Sequence, residues 1–178
     1  TMVSMLNSFS RLLLILFCTT SLIAADEAKP HAVFVVGTPH YNPAGTIPAL
    51  AKQLEQLGFR TTVVLPQENP EKNPKGLSGL VALNTADVAI FYLRFLTLPD
   101  AQLKLITDYV ESGKPVVGFR CTSHAFLYPR DNPNSKWNDG FGRDVLGSKY
   151  YIHLQGTTTV AVNAPATKHT ILTGLKFD

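Results

Sequence analysis

Cysteine is scarce in this sequence: there are two among 178 residues, Cys18 and Cys121. Cys18 lies in an apolar N-terminal run that we expect to be removed, so the mature chain would hold only Cys121 and no internal disulfide. A fold without disulfides must rest on its hydrophobic core, and 45% apolar residues permit one. We therefore expect a single domain of ordinary size that is stabilised by its core.

Clusters of lysine and arginine are also lacking. The formal net charge is only +3, and Arg11 in the N-terminal run accounts for one unit of it. Nucleic-acid-binding domains usually concentrate basic residues on one face. We therefore expect no nucleic-acid partner.

The apolar run Leu12–Ala25 is shorter than the roughly 20 residues that a helix needs to cross a bilayer. Arg11 precedes this run, two alanines end it, and a polar segment follows. This is the pattern of a secretory signal peptide. We predict a signal peptide over residues 1–25, a linker over 26–30, and export to the periplasm or the extracellular space without stable membrane insertion. An uncleaved anchor or a buried N-terminal helix is the alternative.

The rest of the chain alternates between strand and helix patterns. His31–Gly37 is a continuous β-branched and aromatic run of the kind that lies buried in a parallel sheet. Strand–helix–strand units require right-handed crossovers, which make neighbouring strands parallel. We predict a doubly wound α/β sheet that binds ligands beyond the carboxyl ends of its strands. The predicted strands span residues 31–37, 60–65, 86–95 and 115–119, and the predicted helices span 47–57 and 99–112.

The last part of the chain has a different pattern. Lys149–Gln155 and Thr157–Val162 alternate in polarity around a glycine, which predicts an antiparallel pair at the sheet edge. The sequence ends at Asp178, directly after the strand-like segment Ile171–Leu175, so we expect a C-terminally truncated domain. The predicted surface loops span residues 67–75 and 128–142.

Polar loops follow the predicted strands and should gather at the carboxyl edge of the sheet. The turn Gly118–Phe126 is the most informative of them, because a sharp strand-to-helix turn exposes its apex side chain and aims backbone N–H groups beside it. The candidate side chains on these loops are His40, Tyr41, Arg94, Arg120, Cys121, Thr122, Ser123, His124 and Trp137.

The turn and three later segments resemble the trehalose-utilisation (ThuA-like) family, part of the class I glutamine amidotransferase-like superfamily. The segments are Gly113–Phe126, Phe141–Gly147, Tyr150–His153 and Lys168–Leu175, and Thr170 stands where the family usually has proline. The resemblance covers about residues 31–178. It implies a flavodoxin-like, mostly parallel sheet and a role in the catabolism of a carbohydrate such as trehalose or a related glycoside.

The amidotransferases of this superfamily place a cysteine nucleophile two residues after the glycine that ends a strand. Counting from Gly118, that position is Arg120, which does not deprotonate in proteins, and Cys121 comes one residue later. We therefore expect no glutamine amidotransferase activity. Arg120 is predicted at the apex of the turn, where it would stabilise an anion or oxyanion. The alternative is a surface salt bridge with Asp131 or Asp139.

Histidines supply the candidate proton carriers. His124 shares the turn with Arg120 and is preferred, followed by His40. His153 would enter the pocket only if its strand turns it inward. The spacing of the histidines is not that of metal ligands, so we assign none to a metal, while a divalent metal or another cofactor stays open. The rings of Tyr41 and Trp137 suit stacking against a sugar.

The sequence thus predicts an exported ThuA-like domain that acts on a carbohydrate or other small molecule by acid/base chemistry. The predicted catalytic residues are Arg120, His124 and His40, and the predicted substrate-binding residues are Tyr41, Arg94, Cys121, Thr122, Ser123, Trp137 and His153. One alternative is a non-catalytic sugar- or ligand-binding module of a larger exported protein. Another is a hydrolase that depends on Cys121, whose thiol pKa a neighbouring arginine would lower, although free cysteines are more often buried packing residues.

Overall fold

The computed structural model describes residues 28–66, 76–153, 155–157, 159, 161–163, 165, 167–174 and 176. The predicted signal peptide and the predicted loop at 67–75 lie outside the described residues.

Four parallel strands form the centre of the molecule. They are β1 (His31–Gly37), β2 (Arg60–Val64), β3 (Val88–Leu93) and β4 (Val116–Gly118). Their order in the sheet is β2-β1-β3-β4, and every neighbouring pair is parallel. The predicted α/β class and the mostly parallel sheet are confirmed.

Two helices cover opposite faces of the sheet, and the alternation of side chains along β1 decides which residues each helix contacts. Phe34 faces α1 (Pro43–Gln56) and shares a core cluster with Ile47 of that helix. Val35 faces the other way and shares a larger core cluster with Ile106 of α2 (Asp100–Glu111). Because both faces are covered, all seven residues of β1 are buried.

The predicted loop 128–142 is partly helical. A 3₁₀ turn at Pro133–Ser135 leads into α3 (Lys136–Gly140), and a π-helical turn at Phe141–Val145 follows. Phe141 is fully buried and packs edge-on against Phe91, with ring centroids 5.6 Å apart. The segment is predicted to be a loop because most of its residues are polar, although a few apolar residues such as Phe141 pack in the core.

The predicted antiparallel edge is not observed: the described residues of 149–155 and 157–162 form no strand. Tyr151 and Ile152 would point to opposite faces of a strand, yet both are more than 75% exposed. An alternating pattern fixes a strand only when one of its faces is buried, and neither face is buried here. The strand-like segment Ile171–Leu175 is also wrong as a strand, because residues 170–172 form a 3₁₀ turn with Ile171 exposed.

The outer side of β4 is open among the described residues. This strand is three residues long, and Val117 is exposed on it. An apolar groove of about 290 Å³ runs between β4 and α1, with Val117 and Phe119 on one side and Leu50 and Leu54 on the other. In the described part of the chain, no helix has both the length and the apolar character needed to cross a membrane.

Candidate functional site

A pocket of about 400 Å³ lies beyond the carboxyl ends of β1, β3 and β4. All the predicted site residues line it except Thr122 and Trp137. The lining residues are His40, Tyr41, Arg94, Phe95, Arg120, Cys121, Ser123, His124, Tyr150, Ile152 and His153. Residues that are far apart in the sequence thus meet where a parallel sheet places its ligands.

Cys121 is the residue at which the chain turns between β4 and the next helical turn. Its backbone is left-handed, with φ 77° and ψ −17°, and a short 3₁₀ helix, Thr122–His124, follows it. The prediction that Arg120 occupies the apex is wrong by one residue. The prediction counts from Gly118 as the glycine that ends the strand. Hydrogen bonding to β3 continues one residue further, where the Phe119 N–H donates to the Phe91 carbonyl at 2.8 Å.

Left-handed backbone conformations cluster around the pocket. In the described part of the chain, four residues other than glycine have positive φ: Tyr41 (64°), Asn42 (54°), Phe95 (50°) and Cys121 (77°). Three of them line the pocket, and Asn42 directly follows one of the three. Such conformations are costly for residues with a Cβ and concentrate at functional sites. The unusual backbone conformations therefore indicate the same pocket as the predicted site side chains do.

Arg120 forms one wall of the pocket with Tyr41. Its guanidinium carbon lies 4.4 Å from the centroid of the Tyr41 ring, close enough for a cation–π contact. The salt bridge considered for Arg120 is absent among the described residues. Asp139 instead accepts from the ammonium of Lys149 at 3.2 Å, and Asp131 makes no ion pair with Arg120. Arg120 thus lines the pocket, exposed to solvent, without an ion pair to either aspartate.

A stack of rings forms a second wall. The half-buried ring of His124 lies between Phe95 and Tyr150, with centroid distances of 4.9 Å and 4.3 Å. The Tyr150 hydroxyl is hydrogen-bonded to His153 Nδ1 at 2.8 Å. Arg94 extends the wall, because its guanidinium carbon lies 4.4 Å from the Phe95 centroid. The Phe95 N–H donates to the His124 carbonyl at 3.0 Å, which fixes β3 and the turn relative to one another.

His40 follows β1 and is oriented by Thr38, a buried residue. The His40 N–H donates to Thr38 Oγ1 at 3.2 Å, and the same oxygen lies 3.4 Å from His40 Nδ1. The ring of His40 is also edge-on to Tyr41, with centroids 6.1 Å apart. The imidazole is therefore held at the pocket from two sides.

Thr122 and Trp137 do not line the pocket. Thr122 is fully buried beneath the turn, where Oγ1 donates to the Phe91 carbonyl at 2.9 Å and accepts from the Leu93 N–H at 3.2 Å. Trp137 lies on α3 and packs against the larger core cluster. Thr122 supports the turn from below, and Trp137 anchors α3, so neither is placed to contact a ligand in this pocket.

The prediction did not include Phe95, Tyr150 and Ile152, which also line the pocket. Phe95 could have been found, because it lies close to the carboxyl end of β3 and parallel sheets bind ligands at the carboxyl ends of their strands. No pattern in the sequence indicated that Tyr150 lies in the pocket. Tyr92 of β3 does not line the pocket, although its phenol interacts electrostatically with three residues that do. Burial chiefly raises its phenol pKa above the usual value; Cys121 and Tyr41 raise it further, and the charge of Arg120 lowers it.

The described residues that line the pocket include no aspartate and no glutamate. Nowhere in the described part of the chain do three His, Cys, Asp or Glu side chains come together as metal ligands would. The usual glycosidase mechanism needs two carboxyl groups beside the scissile bond, and these lining residues do not supply them. What they supply is imidazole for proton transfer, guanidinium for binding negative charge and one thiol.

The chain matches no protein-family model, no curated protein and no solved structure.

Proposed function

We propose that this pocket is the active site of an exported ThuA-like protein that acts on a carbohydrate by acid/base chemistry. The observation that carries the proposal is the convergence of Arg120, His124 and His40 in one cavity. These residues were selected from the sequence for their chemistry, and they come from two separate loops. A flat or filled surface at this edge of the sheet would have favoured a role in binding alone.

The size and the walls of the pocket suit a sugar. Ligand pockets usually enclose about 300–1,000 Å³, and this one encloses about 400 Å³. Tyr41, which is 60% exposed, and Tyr150 both present aromatic rings to the pocket. Aromatic rings with polar neighbours offer an apolar face to the C–H groups of a sugar and hydrogen bonds to its hydroxyls.

The side chains divide into two roles. The imidazoles of His124 and His40 transfer protons, since histidine changes charge near neutral pH. The guanidinium of Arg120 supplies N–H donors that stabilise negative charge developing on the substrate in the transition state. His124 is the preferred proton carrier because two rings hold its imidazole in place.

The test is a screen of the purified protein against oxidised and unoxidised di- and oligosaccharides, with and without a chelator. Once a saccharide is turned over, His124→Gln and His40→Gln should lower kcat by about 10²- to 10⁴-fold, the usual contribution of general acid–base catalysis. His169→Gln is the matched control, because His169 is exposed and does not line the pocket. Full turnover in both pocket variants contradicts the mechanism, and binding without turnover favours the non-catalytic module.

One observation favours a second candidate, a hydrolase that depends on Cys121. The left-handed backbone at Cys121 is that of a nucleophile turn, where a strained residue lifts its side chain toward the substrate. The thiol lies in the same pocket as three histidines, any of which could accept its proton. Cys121→Ser decides the matter: if turnover is unchanged in this variant, the thiol is not the nucleophile.

A further inference from the structure

The charged side chains among the described residues that line the pocket are arginines. Its described lining residues include Arg94 and Arg120 but no acidic side chain. Asp139 and Asp144 pair with other cations: Asp139 with Lys149 at 3.2 Å, and Asp144 with Arg143 at 2.7 Å. A cleft lined by one sign of charge concentrates ligands of the opposite sign.

The placement of Arg120 indicates how it would bind such a ligand. The Tyr41 ring lies on one side of its guanidinium, with the guanidinium carbon 4.4 Å from the ring centroid. The N–H donors lie in the plane of the group and point outward from its edge. Among the described residues, none accepts a hydrogen bond from these donors, and Arg120 is an exposed residue that lines the pocket. This edge matches the two oxygens of a carboxylate or phosphate.

We infer that the substrate of this pocket is anionic: a sugar-sized molecule with a carboxylate or phosphate group that Arg120 binds through the edge of its guanidinium. This inference rests on the proposed function, since it takes the pocket to be the substrate site. The rings of Phe95, His124 and Tyr150 would then contact the uncharged part of the molecule. Acidic sugars and sugar phosphates have both an anionic group and an uncharged ring, whereas neutral saccharides have only the ring.

Calorimetric titration of the whole chain with three probes tests the inference. Glucose, glucuronate and glucose 6-phosphate share the same sugar ring and differ in the group at carbon 6. At least one of the two anions should bind roughly 10- to 100-fold more tightly than glucose, which is the range expected for hydrogen bonds to a charged group. The stronger of the two identifies whether the group is a carboxylate or a phosphate.

Variants assign the preference to Arg120. Arg120→Gln should remove it, and Arg120→Lys should keep part of it because the charge is retained. Arg60→Gln is the matched control, since Arg60 is an exposed arginine at the amino end of β2, on the opposite edge of the sheet. Equal binding of all three probes, no binding of any, or a preference that survives Arg120→Gln overturns the inference.

Failure of the proposed function gives a different result. An anion preference that depends on Arg120, together with unchanged turnover in the histidine variants, supports the anionic ligand and contradicts the proposed mechanism. Turnover of a neutral saccharide that depends on His124, without any anion preference, supports the mechanism and overturns the inference.

Discussion

Thr122→Val removes the hydroxyl that joins the turn to the end of β3 while keeping nearly the same side-chain volume. The hydroxyl accepts from the Leu93 N–H at 3.2 Å and donates to the Phe91 carbonyl at 2.9 Å, and the side chain is fully buried. The Phe91 carbonyl keeps a second donor, the Phe119 N–H at 2.8 Å. The Leu93 N–H loses this partner at a site that water does not reach.

The expected cost follows from these contacts. A buried donor left without its partner costs about 1–3 kcal/mol, and the lost bond to Phe91 adds about 1 kcal/mol. We therefore expect Thr122→Val to lower the free energy of unfolding by about 2–4 kcal/mol. Denaturation in urea measures this change as a lower midpoint at an unchanged slope. Ligand affinity should fall as well, because the support beneath Cys121 is lost.

Thr122→Ser is the matched control. It keeps the hydroxyl and loses only a methyl group, so we expect a loss of about 1 kcal/mol. The reasoning is refuted if the valine variant is as stable as the wild type, or if the serine variant loses as much stability as the valine variant.

Three further predictions concern the same region and its core. Burial raises the pKa of Tyr128 to about 12. The neutral phenol therefore contributes fully to the stability of the fold below about pH 10, and this contribution is lost as the pH rises through about 12. In thermal melts, Tyr128→Phe should flatten this alkaline part of the stability profile. Cys121→Gly should be about 1 kcal/mol more stable than Cys121→Ala in urea, because glycine adopts a φ of 77° without strain. Gly142→Ala should cost about 1–3 kcal/mol and weaken ligand binding, since its Cβ would overlap the Ser123 carbonyl oxygen; an unchanged urea midpoint contradicts this.

The central strand β1 could be predicted from the sequence because it is buried on both faces. His31–Gly37 is continuous in its apolar character, and the structure buries all seven of its residues. The segment Lys149–Gln155 alternates in the way that a half-buried strand does, but its described residues form no strand. Periodicity describes which side chains could share a face, and only the tertiary structure decides whether anything covers that face.

The candidate site could be predicted in outline because the carboxyl ends of parallel strands meet at one edge. The exact place of each side chain could not be predicted, because it depends on the residue at which strand pairing ends. One extra residue of pairing at Phe119 moved the turn from Arg120 to Cys121 and put Thr122 underneath it. Trp137 was assigned to the site from its position in a polar loop, and α3 directs its ring to the core instead.

The all-parallel order of the strands also bears on how the pocket forms during folding. Parallel neighbours cannot be joined by a hairpin, so Ala32 must meet Val88 before β1 and β3 exist as a pair. Contacts of such long sequence separation form slowly, and the pocket walls depend on several of them at once. A ligand of the pocket therefore binds only the completed fold and raises the unfolding temperature by mass action. The search for the substrate can thus be run as a thermal-shift measurement before any reaction is known.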